Sequence, residues 1–93
     1  MITKQQFKAL KEVGELEGST HNVFVSLAFI VEEVGELSKD LVEGRLGHAK
    51  QESLDVALAA LGTFYAIGGT DRFMEKHVGK QMKKWMRNLK GKE

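Results

Sequence analysis

Residues 22–67 read NVFVSLAFIVEEVGELSKDLVEGRLGHAKQESLDVALAALGTFYAI, and this stretch decides the fold. Val23, Leu27, Ile30, Val34, Leu37 and Leu41 recur every three or four residues, which predicts a helix from about Asn22 to Glu43 with Gly44 as its C-terminal stop. A second apolar run predicts a helix from about His48 to Ile67, ended by Gly68 and Gly69. The intervening Gly44-Arg45-Leu46-Gly47 is too short for anything but an antiparallel helical hairpin. Outward from this centre, Thr3 and Gln6 have the spacing of a capping box, so a further helix is expected from Thr3 to near Gly18. On the other side, Thr70 or Asp71 can cap a last helix. There Val78, Met82, Trp85 and Leu89 make one face, Lys76, Lys80, Lys83 and Arg87 make the other, and the residues after Leu89 are expected to fray. The expected fold is all-α: four helices forming one domain over residues 1–93, with the hairpin at the centre.

The composition narrows the chemistry. The 93 residues include no cysteine, which removes disulfides, thiolate metal sites and a cysteine nucleophile. No apolar run reaches the roughly 18 residues of a membrane span. The charges at Lys4, Lys8, Lys11, Glu12 and Glu15 are foreign to a signal peptide, so no membrane partner and a cytoplasmic location are expected. The net charge of +1 conceals an asymmetry. Residues 1–70 carry 6 basic and 10 acidic side chains, a balance of −4; residues 71–93 carry 8 and 3, a balance of +5.

The third helix is apolar nearly all round. Eleven of the fifteen residues from Ser53 to Ile67 are apolar, and three neighbours in so small a chain can scarcely cover them. A homo-oligomeric helical bundle is therefore expected, most simply a two-fold dimer that includes this helix.

Into this apolar helix the sequence sets Asp55, with Glu52 one turn before it. A carboxylate in apolar surroundings must be protonated or paired. On the preceding helix Glu32, Glu36 and Asp40 make two successive like-charge contacts four residues apart, with Lys39 alone nearby to relieve them. Folding the hairpin about its link sets Glu36 opposite Asp55, with Glu33 and Glu52 within a turn of that level and Glu32 pointing further out. An all-carboxylate set without cysteine or a paired histidine suits Mg²⁺, or Mn²⁺ in its stead. Glu12-Val13-Gly14-Glu15 nearly repeats Glu33-Val34-Gly35-Glu36, but it has no downstream acidic partner and reads as plain surface. His21, His48 and His77 are isolated and read as surface too.

Glu32-Glu33-Val34-Gly35-Glu36-Leu37, followed by Glu52-Ser53-Leu54-Asp55-Val56, resembles the EExxE…ExxD signature of MazG-type nucleoside triphosphate pyrophosphohydrolases of the all-α NTP pyrophosphatase superfamily. The likeness covers about residues 22–67, and Gly69-Thr70-Asp71 with Lys80 and Arg87 is similar to the family's Gly-x-Asp turn and later basic positions. The resemblance implies a homodimer or homotetramer that binds Mg²⁺ and hydrolyses an NTP or dNTP to the monophosphate and pyrophosphate. It implies Glu33, Glu36, Glu52 and Asp55 as metal ligands, and Glu32 as a second-layer group or one that orients water. The stretch from Gly18 to Asn22 carries no recognisable base-reading motif.

Such chemistry needs the triphosphate charge neutralised and a water delivered in line, with a carboxylate to accept its proton and no protein nucleophile. Lys80, Lys83, Lys84 and Arg87 are then candidate substrate-phosphate ligands, within the chain or at a site on the partner subunit, although most of them lie opposite their helix's apolar stripe. Phosphoribosyl-ATP pyrophosphohydrolase is the nearest enzymatic alternative. A nucleic-acid-binding module is disfavoured because Trp85 sits on the apolar face, where it reads as core, and because the acidic cluster would repel phosphate. A non-catalytic assembly protein holding a structural ion is the third reading.

Overall fold

The computed structural model describes residues 2–20 and 23–91, with only the backbone given at 17–20 and 23. It contains four helices: α1 (Lys4–Thr20), α2 (Val23–Val42), α3 (Leu46–Ala66) and α4 (Asp71–Lys90). Among the described residues there is no strand. The all-α expectation is met, and no helix is long and apolar enough to cross a membrane.

Local chemistry sets the helix ends. The Gln6 amide donates to Thr3 Oγ1 at 3.0 Å and the Thr3 amide to Gln6 Oε1 at 2.9 Å, the reciprocal pair of a capping box. Thr70 caps α4 by accepting from the Phe73 amide at 3.1 Å. Helices α2 and α3 end alike. Gly44 (φ 75°) and Gly68 (φ 93°) occupy the left-handed region, where a side chain would be strained. Behind Gly44 the amides of Arg45 and Gly44 return to the carbonyls of Asp40 and Leu41; behind Gly68 those of Gly69 and Gly68 return to Phe64 and Tyr65. Both are Schellman closures.

Two boundaries differ from expectation. Helix α1 continues through Gly18 to Thr20, and α3 starts at Leu46 with Gly47 inside it, so the α2–α3 link is only Glu43, Gly44 and Arg45. The reason is that one left-handed glycine completes the turn, leaving Gly47 free to be helical. The expected start of α2 at Asn22, and His21 with it, lie outside the described residues.

Helix α3 is the shared surface, packing against both α1 and α2. Its contact with α1 is close because both partners are small: a Cβ on Gly14 would stand 2.5 Å from the Gly62 carbonyl oxygen and 2.9 Å from Tyr65 Cβ. Tyr65, only 3% exposed, ties three helices together. Its ring meets Phe7 of α1 edge-on, Lys11 lies 5.9 Å above it, and its hydroxyl donates to Asp71 of α4 at 2.9 Å. Burial, reinforced by the bond to Asp71, pushes this hydroxyl up to about 12, so it remains a neutral donor.

Helix α4 is otherwise loosely attached, and much apolar surface stays uncovered. Trp85, expected in the core, is 56% exposed because no other helix of the chain covers its face of α4. The accessible surface is 7713 Å², against about 5,400 Å² for a compact monomer of this mass. The radius of gyration is 15.3 Å, against about 12 Å for a globular chain of this length.

The near-repeated motifs make opposite demands on their glycines. Gly14→Ala should destabilise the fold by about 1–3 kcal/mol through overpacking against Gly62. Gly35→Ala, with nothing within 4 Å of the added carbon, should be neutral or stabilising by up to about 1 kcal/mol through helix propensity. Urea denaturation of the two variants checks this; equal effects would show that α1 does not seat on α3 through Gly14.

Candidate metal centre

The carboxylates of α2 and α3 come together electrostatically. Glu52 is half-buried, and its carboxyl is raised above the ordinary value first by desolvation and then by the negative charges of Glu36, Asp55, Glu33 and Asp40. Glu36, Asp55 and Glu33 thus lie near enough to act on Glu52; Glu33 and Glu52 are partly buried, whereas Glu36 and Asp55 are exposed. Glu33 Oε2 is buried with no hydrogen-bond partner, an arrangement that is costly for a carboxylate oxygen unless a cation or donor reaches it. Glu32 is exposed, as expected of a residue further round the helix.

The donor set and the orphaned oxygen fit a hard cation such as Mg²⁺. Among the described residues no three acidic or histidine side chains are arranged closely enough to hold a metal ion as they stand. The cluster is therefore a concentration of negative charge rather than a finished cage. Glu12 and Glu15 of the first motif copy are exposed, in keeping with their reading as surface, and His48 and His77 are exposed too.

Sequence reasoning missed the fate of Asp40. It is 5% exposed and accepts from Arg45 Nε at 3.0 Å and Nη2 at 2.8 Å, while Arg45 Nη1 also pairs with Glu43. Lys39 was the expected relief for the acidic run, but the turn's own arginine supplies it. The signal was present: an acid four residues before the left-handed glycine and an arginine directly after it are neighbours once the Schellman turn closes. The pairing compensates Asp40 locally, although its charge still adds to the rise at Glu52.

The basic residues of α4 lie elsewhere. Ala57, Ala60, Leu61 and Phe64 line the groove that α3 shares with α4. At about 100° per residue, that face is about 160° round α3 from Glu52 and Asp55. Within one chain α4 therefore stands on the far side of α3 from the carboxylates. Lys80, Lys83, Lys84 and Arg87 are all exposed, and no ion pair joins them to the cluster among the described residues.

Because the folded state raises the Glu52 pKa, it binds that proton more tightly than the unfolded chain does. The stabilisation is complete below the unfolded value near 4.5 and is lost as pH rises through the higher folded value. Metal-free Glu52→Gln should therefore melt above the native protein at pH 7, the gap closing toward pH 4. Mg²⁺ should raise the native melting temperature more than the variant's. A variant less stable at both pH values would show that Glu52 is not under repulsion. Comparisons with protein-family models, with curated proteins and with solved structures gave no match to this chain.

Proposed function

We propose that this chain is a Mg²⁺-dependent nucleoside triphosphate pyrophosphohydrolase of the MazG type, working as a homo-oligomer in the cytoplasm. One observation carries the reading: carboxylates from two helices crowd one seam, repel one another at Glu52 and leave a buried oxygen of Glu33 unpartnered. A structural role alone gives no reason to keep so unfavourable a grouping, whereas a cation site requires it. The centre of the fold is then an antiparallel α2–α3 hairpin that brings Glu33 and Glu36 to face Glu52 and Asp55.

In this role Glu33, Glu36, Glu52 and Asp55 hold the ion. Mg²⁺ held there would neutralise triphosphate charge and favour attack by water. Exposed Glu32, beside the ligands, is placed to orient that water, and any carboxylate oxygen left free of the ion can accept its proton. Release of a monophosphate and pyrophosphate needs no covalent protein intermediate. The basic groups of α4 are not carried into this scheme, because within one chain they stand across α3 from the acids.

Area supports an oligomer. The roughly 2,300 Å² by which the surface exceeds a compact monomer's is of the size that obligate dimers bury. It includes Phe24, Leu27, Val31 and Val34 of α2 and Leu54 and Leu58 of α3. A second copy covering these faces completes the bundle that the apolar third helix demands.

Pyrophosphate release from a panel of NTPs and dNTPs should require Mg²⁺ and fall on the order of a hundredfold or more in Glu36→Gln and Asp55→Asn with helicity intact. Unchanged hydrolysis in both, or none from any nucleotide by folded native protein, would remove the enzyme reading. Sedimentation equilibrium should find a dimer or tetramer, and Val31→Asp, at a position already 63% exposed in the single chain, should shift it to monomer while retaining helicity. A monomeric native protein would overturn the assembly.

A further inference from the structure

The most basic element, α4, stands across α3 from the carboxylates of its own chain. It carries seven basic and two acidic residues, a balance of +5. Arg72, Lys76, Lys80, Lys83 and Arg87 recur every three or four residues and fall within an arc of about 80°. The row runs about 22 Å along the axis at 1.5 Å per residue. All five are exposed, and none takes part in an ion pair among the described residues. Arg72, Lys76, Lys80 and Lys83 border one shallow open groove, floored by Gly79 with Glu75 at its edge. The other acid of α4, Asp71, is occupied by Tyr65 and by Lys11 at 3.5 Å.

We infer that this arc of α4 is a docking strip for the phosphate backbone of a nucleic-acid duplex, separate from the carboxylate centre. Length and charge select the ligand. A nucleotide or free phosphate engages two or three cations and leaves the rest of the row unmatched, whereas a duplex offers a phosphate every 1.7 Å or so along its axis. The five positions include no aromatic, which favours backbone contact over base stacking on a single strand. The apolar stripe of Val78, Met82, Trp85 and Leu89 lies about 140° round the helix, so a second copy can cover it and leave the basic arc open. Exposed apolar residues occur on α2 and α3 as well as α4, which favours a second copy over a lipid surface as what covers the stripe. The carboxylates, across α3, do not repel a polyanion held on α4.

Anisotropy of a labelled short duplex of mixed sequence, titrated with the full chain at several salt concentrations, tests the strip. Five contacts give a log–log salt slope of about −4.5, or about a 500-fold loss of affinity between 50 and 200 mM salt. The triple variant Lys76→Gln, Lys80→Gln, Lys83→Gln should bind more weakly, with its slope reduced to about −1.8 and its loss over that range to about 12-fold. Glu36→Gln should bind as the native protein does, whether or not the chain hydrolyses nucleotides. The proposal is overturned by absence of duplex binding at 50 mM salt, by an unchanged slope in the triple variant with normal helicity, or by a blue shift of Trp85 emission on phosphatidylserine vesicles with no duplex binding.

Discussion

Helix α3 carries apolar side chains round most of its axis from Ser53 to Ile67, and the rest of the molecule is arranged around that constraint. Helix α1 closes on one side through the Gly14–Gly62 contact, with Tyr65 joining α1, α3 and the start of α4. Helix α2 takes a second side and brings its acids to those of α3. Helix α4 touches a third side only near its beginning, where Phe64 and Phe73 meet with ring centroids 6.0 Å apart. What α3 cannot hide within its own chain reappears as an accessible surface far larger than a compact monomer's.

The carboxylate seam is an instance of instability kept in place. An acid inserted into an apolar helix among other acids costs stability unless something neutralises it. Asp40 illustrates the contrast, since it is more deeply buried than Glu52 yet fully answered by Arg45. Two neighbouring acids thus stand in different settings: one pins a turn through Arg45, and the other is raised by the acids around it.

Much of the fold was readable from the sequence because its signals are local. The Thr3–Gln6 box, the Thr70 cap and the terminal glycines at 44 and 68 each act within a few residues, and the helices end where those signals stand. That acids of α2 act on Glu52 of α3 was also legible, because a short link keeps two long helices side by side. What escaped was tertiary. The burial of Asp40 depends on the closed turn, the close seating of Gly14 on Gly62 depends on two residues far apart in the chain, and the exposure of Trp85 depends on an absent neighbour. Periodicity identifies an apolar face but does not say which molecule covers it.

The order of connections along the chain has a kinetic side. Helices α2 and α3 are joined by three residues, so their contact requires only a short loop to close. Helix α1 reaches α3 across the whole length of α2, and its closest contact joins residues 14 and 62. The entropy of closing that longer loop must be overcome before Tyr65 is covered, so the α2–α3 pair is the natural first structure to form and the α1–α3 contact a later one.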